Sequence, residues 1–273
     1  MHGASNVYFG LDPMWVSTVI LAVTYAIIMS EKVNRAIIAL IGASVMILVG
    51  VFDQTEAIRG IDWNTIGLLT GMMILVSISR RSGMFQYIAI WSAQAAKAHP
   101  AGILFILQIT TAVLSAFLDN VTTVLLVVPV TLAICKELDV PVYPYLFAEV
   151  LASNIGGTAT LIGDPPNILI GTQAGLSFNE FVIHLTPVIL VVMIVQAIMI
   201  HLVWGRDLRT TAEREARVMA MSPNESIQDW LLLKQSLVVI SLVMIAFVLA
   251  RPLHLEPATI AMFGAAVLML LDN

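Results

Sequence analysis

Two acids and an amide sit where an apolar chain has least reason to carry them. Residues 101–117 and 122–135 are apolar, and between them runs Leu118-Asp119-Asn120-Val121-Thr122-Thr123. Further on, Ile155-Gly156-Gly157-Thr158-Ala159-Thr160-Leu161-Ile162-Gly163-Asp164-Pro165-Pro166-Asn167 interrupts a second apolar stretch. Three glycines and two prolines do not continue a regular helix. A break leaves carbonyls at one half-helix end and N–H groups at the other. Carbonyls suit Na⁺, and N–H groups suit an anion. A carboxylate at membrane depth is costly and by default functional. Asp119 and Asp164 are therefore candidate carriers of a cation or a proton, since paired carboxylates in a dry site exchange one for the other. Asn120 turns either a carbonyl to Na⁺ or an N–H to an anion. Thr122, Thr123 and Asn167 are candidates to line the site, and Gly156, Gly157, Thr158 and Gly163 to bring backbone oxygens to an ion. Glu149, about a turn before the break, is a candidate proton carrier. Each has a plainer alternative: Asp119 and Asn167 as helix caps, Asp164 as a turn residue before proline, the threonines as back-bonding hydroxyls.

These groups need a membrane around them, and composition supplies the case for one. The 273-residue chain is 59% hydrophobic and 11% charged, with a mean hydropathy of +0.94. A soluble domain carries about 25% charged residues. A soluble enzyme, a nucleic-acid binder and a disordered chain are excluded. A formal charge of −5, from 18 acids and 13 bases, gives no polyanion-binding face. The single cysteine, Cys135, excludes an internal disulfide and a cysteine-based metal cluster. Neither an HExxH nor a GxSxG pattern is present, and no enzyme is expected. What remains is an all-α polytopic membrane protein, with no cofactor beyond Na⁺ or H⁺ as coupling ion.

Apolar runs place spans at 14–30, 36–52, 65–79, 181–204, 236–250 and 258–271. No removable signal peptide is read at the N-terminus. Met84, Phe85, Ile88, Trp91 and Ala95 recur at helical spacing among polar residues, which predicts a helix lying in the interface over 83–99. With the N-terminus outside, eleven bases fall inside (Lys32, Arg35, Arg80, Arg81, Lys97, Lys136, Arg206, Arg209, Arg214, Arg217, Lys234) and two outside (Arg59, Arg251). Lys97 and Lys136 then share a side, so the arms 101–117 and 122–135 form a re-entrant hairpin with Asp119 at its tip. Residues 145–154 make a half-helix, and 168–172 resume it after the break. Residues 36–50 and 258–272 match at seven of fifteen positions, among them Gly42 and Gly264. One runs outward and the other inward, the mark of an inverted repeat. The expected division is scaffold spans in 1–82, the interfacial helix in 83–99, and a transport part in 100–180. A closing span follows in 181–204, then a solvated cytoplasmic linker in 205–233 and the first spans of a second repeat in 234–273. The sequence thus reads as a truncated two-repeat protein.

The runs AVLSAFLDNVTTVLLVVPVT (112–131) and EVLASNIGGTATLIGDPPNILI (149–170), with GMMILVSISRRSGMFQY (71–87), resemble the ion-transporter superfamily. The most similar branch holds the P protein, NhaD-type sodium/proton antiporters and ArsB-type arsenite permeases. The plan is more distantly similar to sodium-coupled dicarboxylate and citrate transporters. The resemblance covers most of residues 14–204. It implies inverted repeats, a scaffold part, a mobile transport part with elevator-type movement, and a homodimer when full length, in the inner or plasma membrane among its lipids. In the dicarboxylate branch the hairpin tip reads Ser-Asn-Thr, where this chain has Asp119, Asn120 and Val121; the residue before Pro-Pro-Asn is Ser there and Asp164 here. Acids at both places repel an anionic substrate. The resemblance therefore implies Na⁺/H⁺ antiport, with Asp119, Asn120 and Asp164 as Na⁺ ligands. The alternative is an anion permease for arsenite or a di- or tricarboxylate such as citrate, Na⁺-coupled or not. The partners implied are a small ion or anion and membrane lipid, with no nucleic acid.

Overall fold

Several helices start where a side chain closes their first turn. Asp12 accepts the Met14 N–H at 2.8 Å and opens α1 (Pro13–Met29); Asn34 accepts the Ala36 N–H at 2.9 Å and opens α2 (Arg35–Val49). Gly50, at φ 83°, ends α2 in the left-handed conformation. Asp53 and Glu56 form a capping box ahead of the short α3 (Gln54–Arg59). The computed structural model describes residue 7 and residues 10–272, so the first residues read for a signal peptide lie outside the described ones. The chain divides into two units, Met1–Asp62 and Trp63–Asn273. All regular structure in the described residues is helical.

The second unit contains α4 (Trp63–Arg81), α5 (Met84–Ala95), α6 (Pro100–Ser115), α7 (Asn120–Leu138), α8 (Tyr143–Gly157), α9 (Pro165–Ala174), α10 (Phe178–Trp204), α11 (Ala212–Met219), a 3₁₀ turn (Pro223–Ser226), α12 (Trp230–Val248) and α13 (Pro257–Leu271). By length and composition α7, α10 and α12 are able to cross a membrane; α1, α2, α6 and α13 are shorter apolar helices. One core joins α4, α9, α10, α12 and α13 around Leu75, Val243, Phe247, Ala261 and Leu268. A second joins α5, α6, α7, α8 and α11 around Ala93, Leu107, Ile134, Tyr145 and Val218. Small residues allow the closest approaches, as between membrane helices generally. A Cβ on Gly71 of α4 would lie 2.6 Å from the Ala261 carbonyl carbon of α13. The sequence repeat has a packing counterpart. A Cβ on Gly42 would meet Thr24 of α1 at 2.5 Å, and one on Gly264 would strike Val243 of α12. In both copies the same glycine admits the preceding helix.

Polar ties across the second unit join residues that the Lys/Arg distribution assigns to one side. Asn64 donates to Glu256 at 3.1 Å and Arg251 pairs with Glu180 at 2.7 Å on the side assigned outside. On the other side Arg81 pairs with Asp272, and Arg214 with Asp139 at 2.8 Å. The starts of α6 and α8 also meet: Tyr145, in the first turn of α8, donates its hydroxyl to the Pro100 carbonyl at 2.9 Å. α6 and α7, consecutive in the chain and packed in one core, form a hairpin with its tip at Ala116–Asp119.

Three boundaries differ from the sequence reading. α7 runs through Lys136 and Glu137 to Leu138, because charged residues end an apolar run without ending a helix, and Asp139 at φ 53° then closes it. The arm is 19 residues long and not the shorter 122–135. The break is narrower than 155–167: Gly156 and Gly157 stay helical, and Pro165 and Pro166 open α9, where proline is accepted. The segment read as a solvated linker folds. Val218 and Leu208 are buried, Gln94 of α5 donates to the Met221 carbonyl at 2.6 Å, and Gln228 donates its N–H to Ser82 O at 2.9 Å. α5 buries Phe85, Ala89 and Ala93 and exposes Trp91. Gly71→Val should destabilise the protein by about 1–3 kcal/mol, read as a lower thermal midpoint in detergent. The control Gly60→Ala should stay within about 0.5 kcal/mol, as surface changes do.

Candidate functional site

The hairpin tip and the helix break close against each other. Asp119 opens α7: its Oδ1 accepts the Thr122 N–H at 2.9 Å. Five residues earlier than Asn120, Ser115 donates its hydroxyl across to the Ser153 carbonyl of α8 at 2.7 Å. Thr160, in the break, donates to the Ala116 carbonyl and accepts the Gly163 N–H at 3.2 Å. Asn167 reaches back from the first turn of α9 and donates its amide to the carbonyls of Thr160 (2.9 Å), Thr158 (3.3 Å) and Gly157 (3.4 Å). The unwound segment is held from both ends, and buried backbone requires such partners.

Oxygen atoms concentrate where the two pieces meet. One end of the Asn120 amide faces Ser115 Oγ at 2.9 Å, Ser153 O at 3.0 Å and Gly163 O at 3.2 Å. The two hydrogens of an amide nitrogen there serve two of these three acceptors at full strength. With the amide turned, its carbonyl takes that place and accepts the Ser115 hydroxyl at 2.9 Å, and four oxygens then lie together. A Cβ on Gly163 would collide with the Gly157 carbonyl and lie 2.6 Å from the Ser115 carbonyl; one on Gly157 would collide with the Asn120 side chain. A Cβ on Gly156 would collide with the backbone of Ala112 in α6. These glycines keep their helix or turn and contribute by having no side chain.

Two carboxylates flank the oxygens. Asp164 is half-buried and makes no capping bond to α9; it follows Gly163, whose carbonyl lies 3.2 Å from the Asn120 amide. Asp119 is half-buried, with one oxygen committed to its cap. Both half-helix N-termini are poor in free N–H donors. That of α7 is covered by the Asp119 carboxylate, and that of α9 begins with two prolines, after which the Asn167 and Ile168 N–H groups bond to Asp164 O.

Of the residues expected at the site, Asp119, Asn120, Gly157, Gly163, Asp164 and Asn167 come together, and Gly156 packs just behind them. Thr122 contributes a backbone N–H, and Thr158 caps α8 by bonding its hydroxyl to Asn154 O at 2.9 Å. Thr123 is buried within α7 and its hydroxyl has no partner among the described residues. Glu149 lies apart, against Thr131 of α7. Ser115, Ser153 and Thr160 were not singled out by sequence. Their signal was a hydroxyl in an otherwise apolar arm or beside a glycine pair, which is common enough in helices to pass unnoticed.

The family model for citrate transporters matches residues 25–273. A 46 kDa membrane protein of Mycobacterium leprae is 43% identical over 263 residues, 94% of this chain and 61% of the relative. A protein of Mycobacterium tuberculosis named an uncharacterized transporter is 42% identical over 262 residues, with the same coverage of 94% and 61%. The human P protein is 40% identical over 204 residues, 71% of this chain and 24% of that protein. The chain thus spans about three fifths of the length of the mycobacterial relatives it matches, 61%. The family is one of transporters and not of enzymes, and the Mycobacterium tuberculosis relative is named a transporter. With that match over nearly all its length, and with an apolar helical fold built around a hairpin and a broken helix, the chain belongs to the citrate transporter family.

Proposed function

We propose that the complete protein is a secondary active transporter exchanging Na⁺ for H⁺, with its cation held between the hairpin tip and the helix break. The observation that carries this is the set of oxygens from Ser115, Ser153 and Gly163 around the Asn120 amide, with Asp119 and Asp164 beside it. Hard cations take oxygen ligands, and transporters supply them from unwound backbone. Asp119 and Asp164 balance the cation's charge, and in its absence a proton serves the same purpose. The load then moves with the hairpin and the α8–α9 pair as one part, in a multi-pass protein of the inner or plasma membrane with its N-terminus outside, working as a homodimer.

The family's description favours a second reading, an anion permease. An anion would use half-helix N-termini. Here one is covered by the Asp119 carboxylate and the other starts with prolines, which favours the cation.

Internal pH in proteoliposomes separates the two. Pulses of Na⁺ or Li⁺ should drive proton flux, and succinate, citrate or arsenite should not; saturable anion uptake without a cation response would overturn the reading. Asp119→Asn combined with Asp164→Asn should abolish the Na⁺-driven flux while the protein stays monodisperse. Asn120→Ala should weaken apparent Na⁺ affinity about 10–100-fold, the range for residues that orient metal ligands. An unchanged half-saturating Na⁺ concentration would remove Asn120 from the site.

A further inference from the structure

Among the described residues, Glu149 is the one acid with no exposed surface. It sits in α8, where Thr131 of α7 donates its hydroxyl to Oε1 at 2.5 Å, and Oε2 has no partner among the described residues. Its surroundings hold no compensating charge. From α7 the nearest titratable group is the Cys135 thiol, within electrostatic reach; Lys136 and Glu137 lie at the far end of that helix, with Lys136 exposed. On α8 itself Tyr145 uses its hydroxyl on Pro100 O. α6 carries no titratable side chain, and its N-cap His99 is exposed. α10 crosses here through Gln196, which donates to the Ala148 carbonyl at 3.1 Å; its Glu180, His184 and His201 stand near its ends. No salt bridge to Glu149 occurs among the described residues. A buried carboxylate with one hydrogen bond and no counter-charge is expensive, whereas the neutral acid is tolerated.

We propose that Glu149 is a proton-binding site of its own, distinct from the oxygen cluster, that loads and unloads a proton in each transport cycle. Its position gives it leverage. Four residues on, about 6 Å along the helix, Ser153 offers its carbonyl to Ser115 and Asn120. The Thr131–Glu149 bond joins α7, which carries Asp119 and Asn120, to α8, which carries Ser153 and Gly157. A proton on Glu149 keeps this interface dry and closed. Its loss calls for water or a cation and loosens α7 from α8, which separates the two halves of the oxygen cluster. The proton on Glu149 is thereby linked to the cation at a distance, in addition to the exchange at Asp119 and Asp164. The inference rests on the proton-coupled part of the transport reading and not on which ion is exchanged.

Two measurements on the reconstituted protein test it. Infrared difference spectra between acid and alkaline pH should show a protonated-carboxyl band that vanishes in Glu149→Gln and persists in the Asp119→Asn, Asp164→Asn double variant. In transport, Glu149→Gln should keep Na⁺/Na⁺ exchange near the parent rate and lose pH-gradient-driven Na⁺ flux about tenfold or more, a coupling of ordinary size. Glu149→Asp should recover part of it. If Glu149→Gln is not monodisperse, Thr131→Val serves instead, because removing the hydroxyl should shift the carboxyl band. A band unaltered by either variant, or pH-driven flux unaltered by Glu149→Gln, overturns the proposal. If the parent shows no response to Na⁺, the cation reading fails, and the infrared comparison still decides Glu149.

Discussion

Backbone polar groups removed from water must find partners inside the protein, and this one requirement organises the second unit. A helix meets it alone; an unwound segment does not. The seven residues Thr158–Asp164 between α8 and α9 are therefore possible only because Asn167, Thr160 and the hairpin tip complete their bonds. The tip in turn has its first turn closed by Asp119 and its last helical turn tied through Ser115. Neither irregular piece is satisfied without the other. That mutual completion brings carbonyls, an amide and two acids into one place, a composition no regular helix surface offers.

The same dependence explains what was legible from sequence. Asp119 and Asp164 stood out because an acid inside an apolar run has few structural excuses, and the glycines and prolines of 156–166 announced a break. The partners of those residues were hidden, since Ser115 meets Ser153 across 38 positions. Asn167 could not be assigned between cap and ligand, and it instead braces the break by binding three carbonyls. The glycine pair was expected in the unwound segment as a source of flexible oxygens. It remains helical, because its value is the missing Cβ beside Ala112 and Asn120, a fact of packing that spacing does not carry.

Segments of mixed character were the hardest to read. Residues 206–217 hold enough arginine and glutamate to suggest solvation, yet two apolar side chains, Leu208 and Val218, are enough to anchor them. The charges then pair along the end of α7: Arg214 with Asp139, Arg217 with Glu137. Such exposed pairs add little stability. Burial of the two apolar anchors and the bonds from Gln94 and Gln228 hold the segment down. The helix repeat shows the reverse case. Small apolar residues inflate a match of seven in fifteen, and the shared glycine contact is a physical counterpart to it.

Four long polar ties in the second unit join groups at the same end of the bundle, Asn64 with Glu256 and Arg251 with Glu180 at one, Arg81 with Asp272 and Arg214 with Asp139 at the other. None of these contacts distinguishes one compartment from the other. A copy inserted upside down would fold with identical bonds. Signals of another kind must then separate the two, and an uneven distribution of lysine and arginine is one that acts while helices enter a bilayer. Arg81, Arg214 and Arg251 thus serve twice, as contacts within the bundle and as charges of the kind that orient helices entering a bilayer, so a change at any of them touches both.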